Sequence, residues 1–343
     1  MIKVVEIEEA LELSCPIVDV RSPGEYLAGH ILGSHNVPLF SDNERAHIGT
    51  AYKQESKKKA TGIGYIYANP KRTWYIDETR KLAQEKPVIV HCWRGGMRSR
   101  LFAEHLHENG IKDVYIISGG YKAFRQLINR RFAQKQNLLI IGGFTGSGKT
   151  ALINELQRTY KLNTVDLEAL ACHKGSAFGS IGMHKQPTTE HFQNILYMAL
   201  RHYSANDVLI VEDESMRIGQ VSLPQCFYEQ MRNAKVIFLN IPRDERVKHL
   251  IDDYVLTSND EGLEKALKRI SKRLGSNSCN DALNLLAEKN YAAVAEIALH
   301  YYDKAYSYGL AKRKPTSIVK IDCPTVDPEK NAKIIYNKLN VRL

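Results

Sequence analysis

Asn137-Leu138-Leu139-Ile140-Ile141-Gly142-Gly143-Phe144-Thr145-Gly146-Ser147-Gly148-Lys149-Thr150 is the stretch on which the reading of the chain turns. Asn137 to Ile141 is a short apolar run with the look of a buried strand, and helical residues continue from Thr150 to Tyr160. Between them, Gly143 to Thr150 fits G-x-x-x-x-G-K-[ST] in full, in the strand-to-helix setting that this pattern requires. Successive backbone N–H groups of such a P-loop cradle a pyrophosphate, and Lys149 neutralises its charge. The candidate phosphate-binding residues are therefore Gly143, Thr145, Gly146, Ser147, Gly148, Lys149 and Thr150. The Thr150 hydroxyl would also ligate a magnesium ion if one is used.

Downstream, apolar β-rich runs at 163–165, 208–211, 235–239 and 317–321 alternate with helical stretches, which predicts a parallel sheet covered by helices. A partner carboxylate belongs at the end of a neighbouring strand. Val208-Leu209-Ile210-Val211-Glu212-Asp213 offers Asp213 first and Glu212 second, and Asp166 after Val165 has the same placement. Asp213 is the expected companion of Thr150 at a metal ion. Arg243 and Arg246, after Ile241-Pro242, are candidates to close over phosphates. Because the last strand lies near the C-terminus, the P-loop domain is expected to span 137–343, with a helical insertion at about 244–307.

Upstream, Pro16 to Arg21 reads as a strand ending at the turn Ser22-Pro23-Gly24, and Pro87 to His91 as a second strand running into Cys92. A third, Asp113 to Ile117, ends at Gly119-Gly120, and the following helix leads into a basic stretch. This predicts a first domain at 1–130 and a linker at 131–136. In His91-Cys92-Trp93-Arg94-Gly95-Gly96-Met97-Arg98-Ser99, a cysteine precedes two glycines and two arginines at a turn entering a helix. Curled-loop N–H groups, a helix N-terminus and nearby arginines all favour a thiolate, so Cys92 is the expected nucleophile. Arg94, Gly95, Gly96, Arg98 and Ser99 form its expected surroundings.

The whole has the composition of a globular protein: 343 residues, 43% apolar and 25% charged, enough for about two domains. Lys plus Arg exceed Asp plus Glu by 48 − 38 = 10, a surface balance that suits polyanions such as nucleic acid. The first residues lack the basic-then-apolar layout of a secretory signal, and no run reaches the roughly 18 apolar residues of a membrane span. A cytoplasmic location is expected. Six cysteines without a CxxC pair argue against a zinc site or a disulfide framework.

Val18-Asp19-Val20-Arg21-Ser22-Pro23-Gly24-Glu25-Tyr26, with Gly29-His30-Ile31 and Gly119-Gly120-Tyr121, resembles a rhodanese domain. Its Cys92-to-Arg98 spacing is C-x5-R, one residue longer than the usual sulfurtransferase loop and equal to that of cysteine-dependent phosphatases. Spacing alone thus leaves open a phosphoryl-transfer enzyme, an ATP-dependent kinase fused to a phosphatase-like domain, and also a non-catalytic RNA-binding module.

Followed directly by a P-loop domain, this rhodanese-like domain is similar to those of the tRNA 2-selenouridine synthase family. Gly49-Thr50-Ala51-Tyr52-Lys53-Gln54, Asp166-Leu167-Glu168 and Glu212-Asp213-Glu214-Ser215 carry the likeness further. Ala169, Cys172 and Lys174 depart from it. The resemblance implies replacement of sulfur by selenium in wobble 2-thiouridine of tRNA, with selenophosphate as donor, and hence a selenophosphate-producing enzyme as a partner. It further implies an S-geranyl intermediate made from geranyl diphosphate, with the diphosphate on the P-loop and selenium on Cys92.

Overall fold

In the computed structural model of the chain, residues 1–255 and 260–340 are described. They divide into two compact units, Met1–Arg131 and Phe132–Leu343.

In the first unit, β1 (Ile2–Val5), β2 (Ile17–Asp19), β3 (Ser34–Asn36), β4 (Val88–His91) and β5 (Val114–Ile117) form one sheet in the order β1-β5-β4-β2-β3. Every pairing is parallel. A parallel sheet is covered on both faces, so its strands read as unbroken apolar runs, and all four residues of β4 are buried. Val18, Val90, Phe102 and Leu106 belong to the core beneath them. Three helices, Asp42–Gln54, Lys57–Ala68 and Arg72–Ala83, fill the connection from β3 to β4. The first starts at a reciprocal capping box: Ser41 Oγ accepts from the Glu44 N–H at 3.3 Å, and Glu44 Oε2 accepts from the Ser41 N–H at 2.8 Å. Ser56 caps the second, accepting from the Lys59 N–H at 3.1 Å.

The helix Gly120–Ala133 leaves the first unit. It continues through 131–133, so the expected linker at 131–136 is half helix and the irregular connection is only 134–136. Phe132 explains this, because its side chain is buried and stacks edge-on to Phe227, extending the apolar face of the helix.

In the second unit, β6 (Asn137–Gly143), β7 (Thr164–Val165), β8 (Val208–Glu212), β11 (Lys235–Asn240) and β12 (Ile318–Asp322) form a second parallel sheet, ordered β12-β11-β6-β8-β7. β9 (Arg217–Ile218) and β10 (Val221–Ser222) are a separate antiparallel pair. β6 is the central strand, which delivers the Gly143–Thr150 loop to the middle of the carboxyl edge, where ligands of open α/β sheets bind. Helices Arg243–Val255, Asp260–Leu274, Ser276–Ala287 and Tyr291–Ala311 intervene between β11 and β12. This helical insertion reaches past the expected end at 307; positions 256–259 of it lie outside the described residues. It has its own core, in which Leu263, Leu267, Ile270 and Leu286 pack with Phe178. Among the described residues no helix is long and apolar enough to cross a membrane.

Candidate functional site

Cys92 follows the last residue of β4, and Gly96 starts the helix Met97–Glu108. The loop between them is pressed against the turn after β5. Tyr121 and Lys122 donate their N–H groups to the Cys92 and Trp93 carbonyls, each at 2.9 Å. Gly95 has φ +63°, and a side chain there would put Cβ 2.4 Å from the Ile117 carbonyl oxygen; one on Gly120, at φ +59°, would meet the Cys92 oxygen at 2.3 Å. Only glycine fits either place.

The sulfur of Cys92 lies 3.4 Å from Ser99 Oγ. Burial pushes its thiol up, but the Ser99 hydroxyl, the Arg98 guanidinium and the Arg94 and Ser99 N–H groups outweigh it, so the thiol sits below its ordinary value. The Ser99 hydroxyl has one proton and two acceptors, the sulfur and the Gly96 carbonyl at 3.1 Å. A full charge on sulfur would turn that proton toward Cys92. Arg98 pairs with Glu25 at 3.2 Å, and Arg45 with the same carboxylate at 3.5 Å. Glu25 and Arg45 are thus parts of the site that motif spacing alone does not single out.

Beneath the loop, Arg21 grips Asp19 through Nε at 3.0 Å and Nη2 at 2.6 Å, donates to the Gly29 carbonyl at 2.7 Å and stacks 3.8 Å from the Tyr121 ring centre. Burial raises Asp19, but His91 and Arg21 pull it below the usual carboxylate value. Desolvation lowers the imidazole value of fully buried His91, and the charge of Asp19 opposes that shift. Cys92 lies among the residues of a cleft of about 920 Å³ in this unit, with Arg94, Gly96 and Arg98 also on its wall.

In the second unit, the P-loop curls through Gly146 at φ +81° and Gly148 at φ +66°, and Gly148 caps the helix Lys149–Tyr160. Ser147 Oγ donates to the Phe144 carbonyl at 2.6 Å, and Lys149 Nζ rests 3.5 Å from the Gly143 carbonyl. Parallel register places Glu212 beside Ile141, so the acidic stretch after β8 emerges next to the loop.

The structure redistributes the roles expected of these carboxylates. Asp213 is taken by buried Arg313 at 2.5 Å and by the Tyr306 hydroxyl at 2.7 Å. Thr150 donates instead to Glu168 at 2.7 Å. Asp213 and Thr150 therefore have different hydrogen-bond partners in this structure. Among the described residues no group of three or more His, Cys, Asp and Glu side chains is arranged to hold a metal ion.

Asp166 is a helix cap, accepting from the Ala169 N–H at 2.7 Å. Glu212 is buried and receives the Leu167 N–H at 2.8 Å, linking β8 to the turn after β7; desolvation, then Asp166 and Glu168, push its carboxyl far up. The carboxylates beside the loop are Glu168 and Glu214. Burial, then the charge of Glu168, pushes Glu214 up to about 8.

Arg243 is turned to Glu296, at 2.6 Å from its carbonyl and 2.8 Å from its carboxylate, and does not meet the loop. Arg246 does: it is buried, donates to the Thr145 carbonyl at 3.1 Å and lies 5.0 Å from the Phe144 ring centre. It is a support for the loop's backbone rather than a mobile cover.

Fold and loops together define a protein that joins a rhodanese-like domain to a P-loop domain. The family model described as "Rhodanese-like domain" matches residues 4–127, and that described as "tRNA 2-selenouridine synthase AAA domain" matches residues 136–328. Among curated proteins, the tRNA 2-selenouridine synthase of Nitrosomonas eutropha is 36% identical over 307 residues, covering 85% of this chain and 78% of its own. That of Shewanella woodyi is 34% identical, covering 89% and 90%, and that of Shewanella piezotolerans 34%, covering 94% and 96%. The chain belongs to the tRNA 2-selenouridine synthase family.

Proposed function

We propose that this protein converts wobble 2-thiouridine in tRNA to 2-selenouridine. The observation that carries the reading is the joint presence, in a chain of this family, of a thiolate-favouring Cys92 loop and a complete phosphate-cradling loop around Lys149. Geranyl diphosphate first alkylates the thiocarbonyl sulfur: the sulfur lone pair attacks the allylic carbon and the carbon–oxygen bond breaks, releasing diphosphate. The N–H groups of Gly146 to Thr150 and the Lys149 ammonium hold that leaving group, in the way helix N-termini bind anions. Alkylation turns a poor leaving group into a thiolate that can depart. Selenophosphate, held at the Cys92 loop, then adds through its selenide-level selenium to the same ring carbon, geranylthiolate leaves, and water cleaves the phosphorus–selenium bond of the adduct to release phosphate. Arg94 and Arg98 stabilise the anions that approach Cys92. The basic balance of the chain serves tRNA binding through phosphates, which makes that binding salt-sensitive.

The test is nucleoside mass spectrometry of 2-thiouridine-containing tRNA incubated with the protein, geranyl diphosphate and selenophosphate, each small molecule omitted in turn. The expected products are a geranylated nucleoside without selenophosphate and 2-selenouridine with both. Unchanged thiouridine with folded protein sinks the reading.

A further inference from the structure

The cleft at Cys92 is far larger than a small anion needs, and its walls differ from those of an anion pocket. It is bounded by the helices Asp42–Gln54, Lys57–Ala68 and Met97–Glu108, and its lining contains six lysines and arginines against two glutamates. Its deeper wall is apolar, with Phe40, Ile48, Leu101 and Phe102. Cys92 itself is 3% exposed.

Two features of the rim stand out physically. Tyr52 and Tyr65 line the cleft with 60% and 47% of their surface open, which leaves ring area free for contact at its rim. Secondly, Lys57, which lines the cleft, shares the first turn of its helix with Lys58 and Lys59, and that turn contains no acidic residue. Cations there oppose the helix dipole, which favours anions at that end. Of the three, only Lys59 has an acidic partner, Glu55, among the described residues. An unfavourable charge arrangement at the mouth of a cleft is resolved when an anion docks on it.

We propose that this cleft is the docking site of a single-stranded segment of the tRNA, whose acceptor nucleotide is turned out of the loop and enters base-first toward Cys92. Its phosphates lie along Lys53, Lys57 and Arg72, and the bases flanking the acceptor stack on Tyr52 and Tyr65. The apolar wall receives the extruded base. Stacked bases cannot present a ring atom to a sulfur this deeply covered, so extrusion is a requirement of the geometry. Basic tracks with interleaved aromatic faces are how proteins hold single strands. The inference rests on the reading of tRNA as substrate and adds where and in what conformation it binds.

The experiment measures binding of a 2-thiouridine-bearing anticodon stem-loop to the full chain by fluorescence anisotropy across a salt series, with no small-molecule substrates present. Tyr52→Ala with Tyr65→Ala should weaken binding about tenfold or more, and the Phe versions should restore it, since stacking needs the ring and not the hydroxyl. Lys57→Glu with Lys58→Glu should weaken binding and flatten its salt dependence. The same change should raise the melting temperature, because acids suit a helix start. That opposite pair of shifts is a signature that general damage to the fold would not give. Wild-type affinity and salt dependence in both sets of variants, from a protein that still makes 2-selenouridine, would overturn the docking site alone. A wild-type protein that neither binds nor converts the RNA would overturn the functional reading beneath it.

Discussion

Arg246 and Asp303 form two parallel N–H···O bonds, each 2.8 Å long, and the same Arg246 Nη1 reaches the Thr145 carbonyl inside the P-loop. The helix Tyr291–Ala311 of the insertion thereby sets the shape of a loop more than 100 residues earlier. Removing Asp303 would leave a nearly covered guanidinium without its counter-charge, a change that costs about 3 kcal/mol when the partner stays buried. Asp303→Ala is expected to lower the melting temperature and to weaken pyrophosphate binding together, as measured by calorimetry with and without pyrophosphate. Weakened binding with unchanged stability would show that Asp303 acts on the ligand and not through Arg246.

Ser99→Ala removes the hydroxyl nearest the Cys92 sulfur. The thiol, now below its ordinary value, should move up, so the pH midpoint for alkylation by iodoacetamide rises relative to the parent protein. An unmoved midpoint would assign the low value to Arg98 and the loop N–H groups alone.

Glu214 predicts a pH-dependent stability. Its folded value, about 8, lies above that of a carboxyl in an unfolded chain. Its protonated form therefore stabilises the fold below the ordinary carboxylate range, and that contribution is lost as pH rises through about 8. Glu214→Gln keeps a neutral hydrogen-bonding group there and should flatten the fall in melting temperature across this interval. Glu212, raised in the same direction, should leave some slope behind. Identical profiles in parent and variant would remove Glu214 as the source.

The two loops are expected to separate genetically. Cys92→Ser should abolish selenium incorporation by a hundredfold or more while geranylation persists, and Lys149→Ala should suppress geranylation and weaken diphosphate binding, both read by nucleoside mass spectrometry; about 100-fold is what losing one well-placed catalytic group costs. Loss of both steps in both folded variants would refute the division of labour.

What is legible in the sequence is what is local. The strand, glycine loop and helix around Lys149 lie within one unbroken stretch, and the same holds for β4, Cys92 and the helix after it. The parallel sheets follow from alternating apolar and helical runs. Asp213 shows where such reading ends. At the end of its strand it looks like any partner carboxylate, and only the return of the chain at Tyr306 and Arg313 reveals its commitment. Glu168 stood in view beside Asp166, but nothing in spacing says that Thr150 points to it. All three helices at 42–83 contribute to the wall of the cleft at Cys92, so that concavity is assembled from separate stretches that no local pattern brings together.

Phe178 sits in the core of the helical insertion, and the Tyr302 hydroxyl accepts the Ala177 N–H at 3.0 Å. Ala177 and Phe178 belong to the irregular segment between the helices Leu167–Ala171 and Thr189–Leu200, whose Gly175 lies against the carboxylates of Glu168 and Glu214. The insertion is therefore a ballast for the phosphate site: trimming it to make a smaller enzyme would cast loose the segment that walls in those two glutamates, and a minimal version of this domain would have to invent another anchor for Phe178.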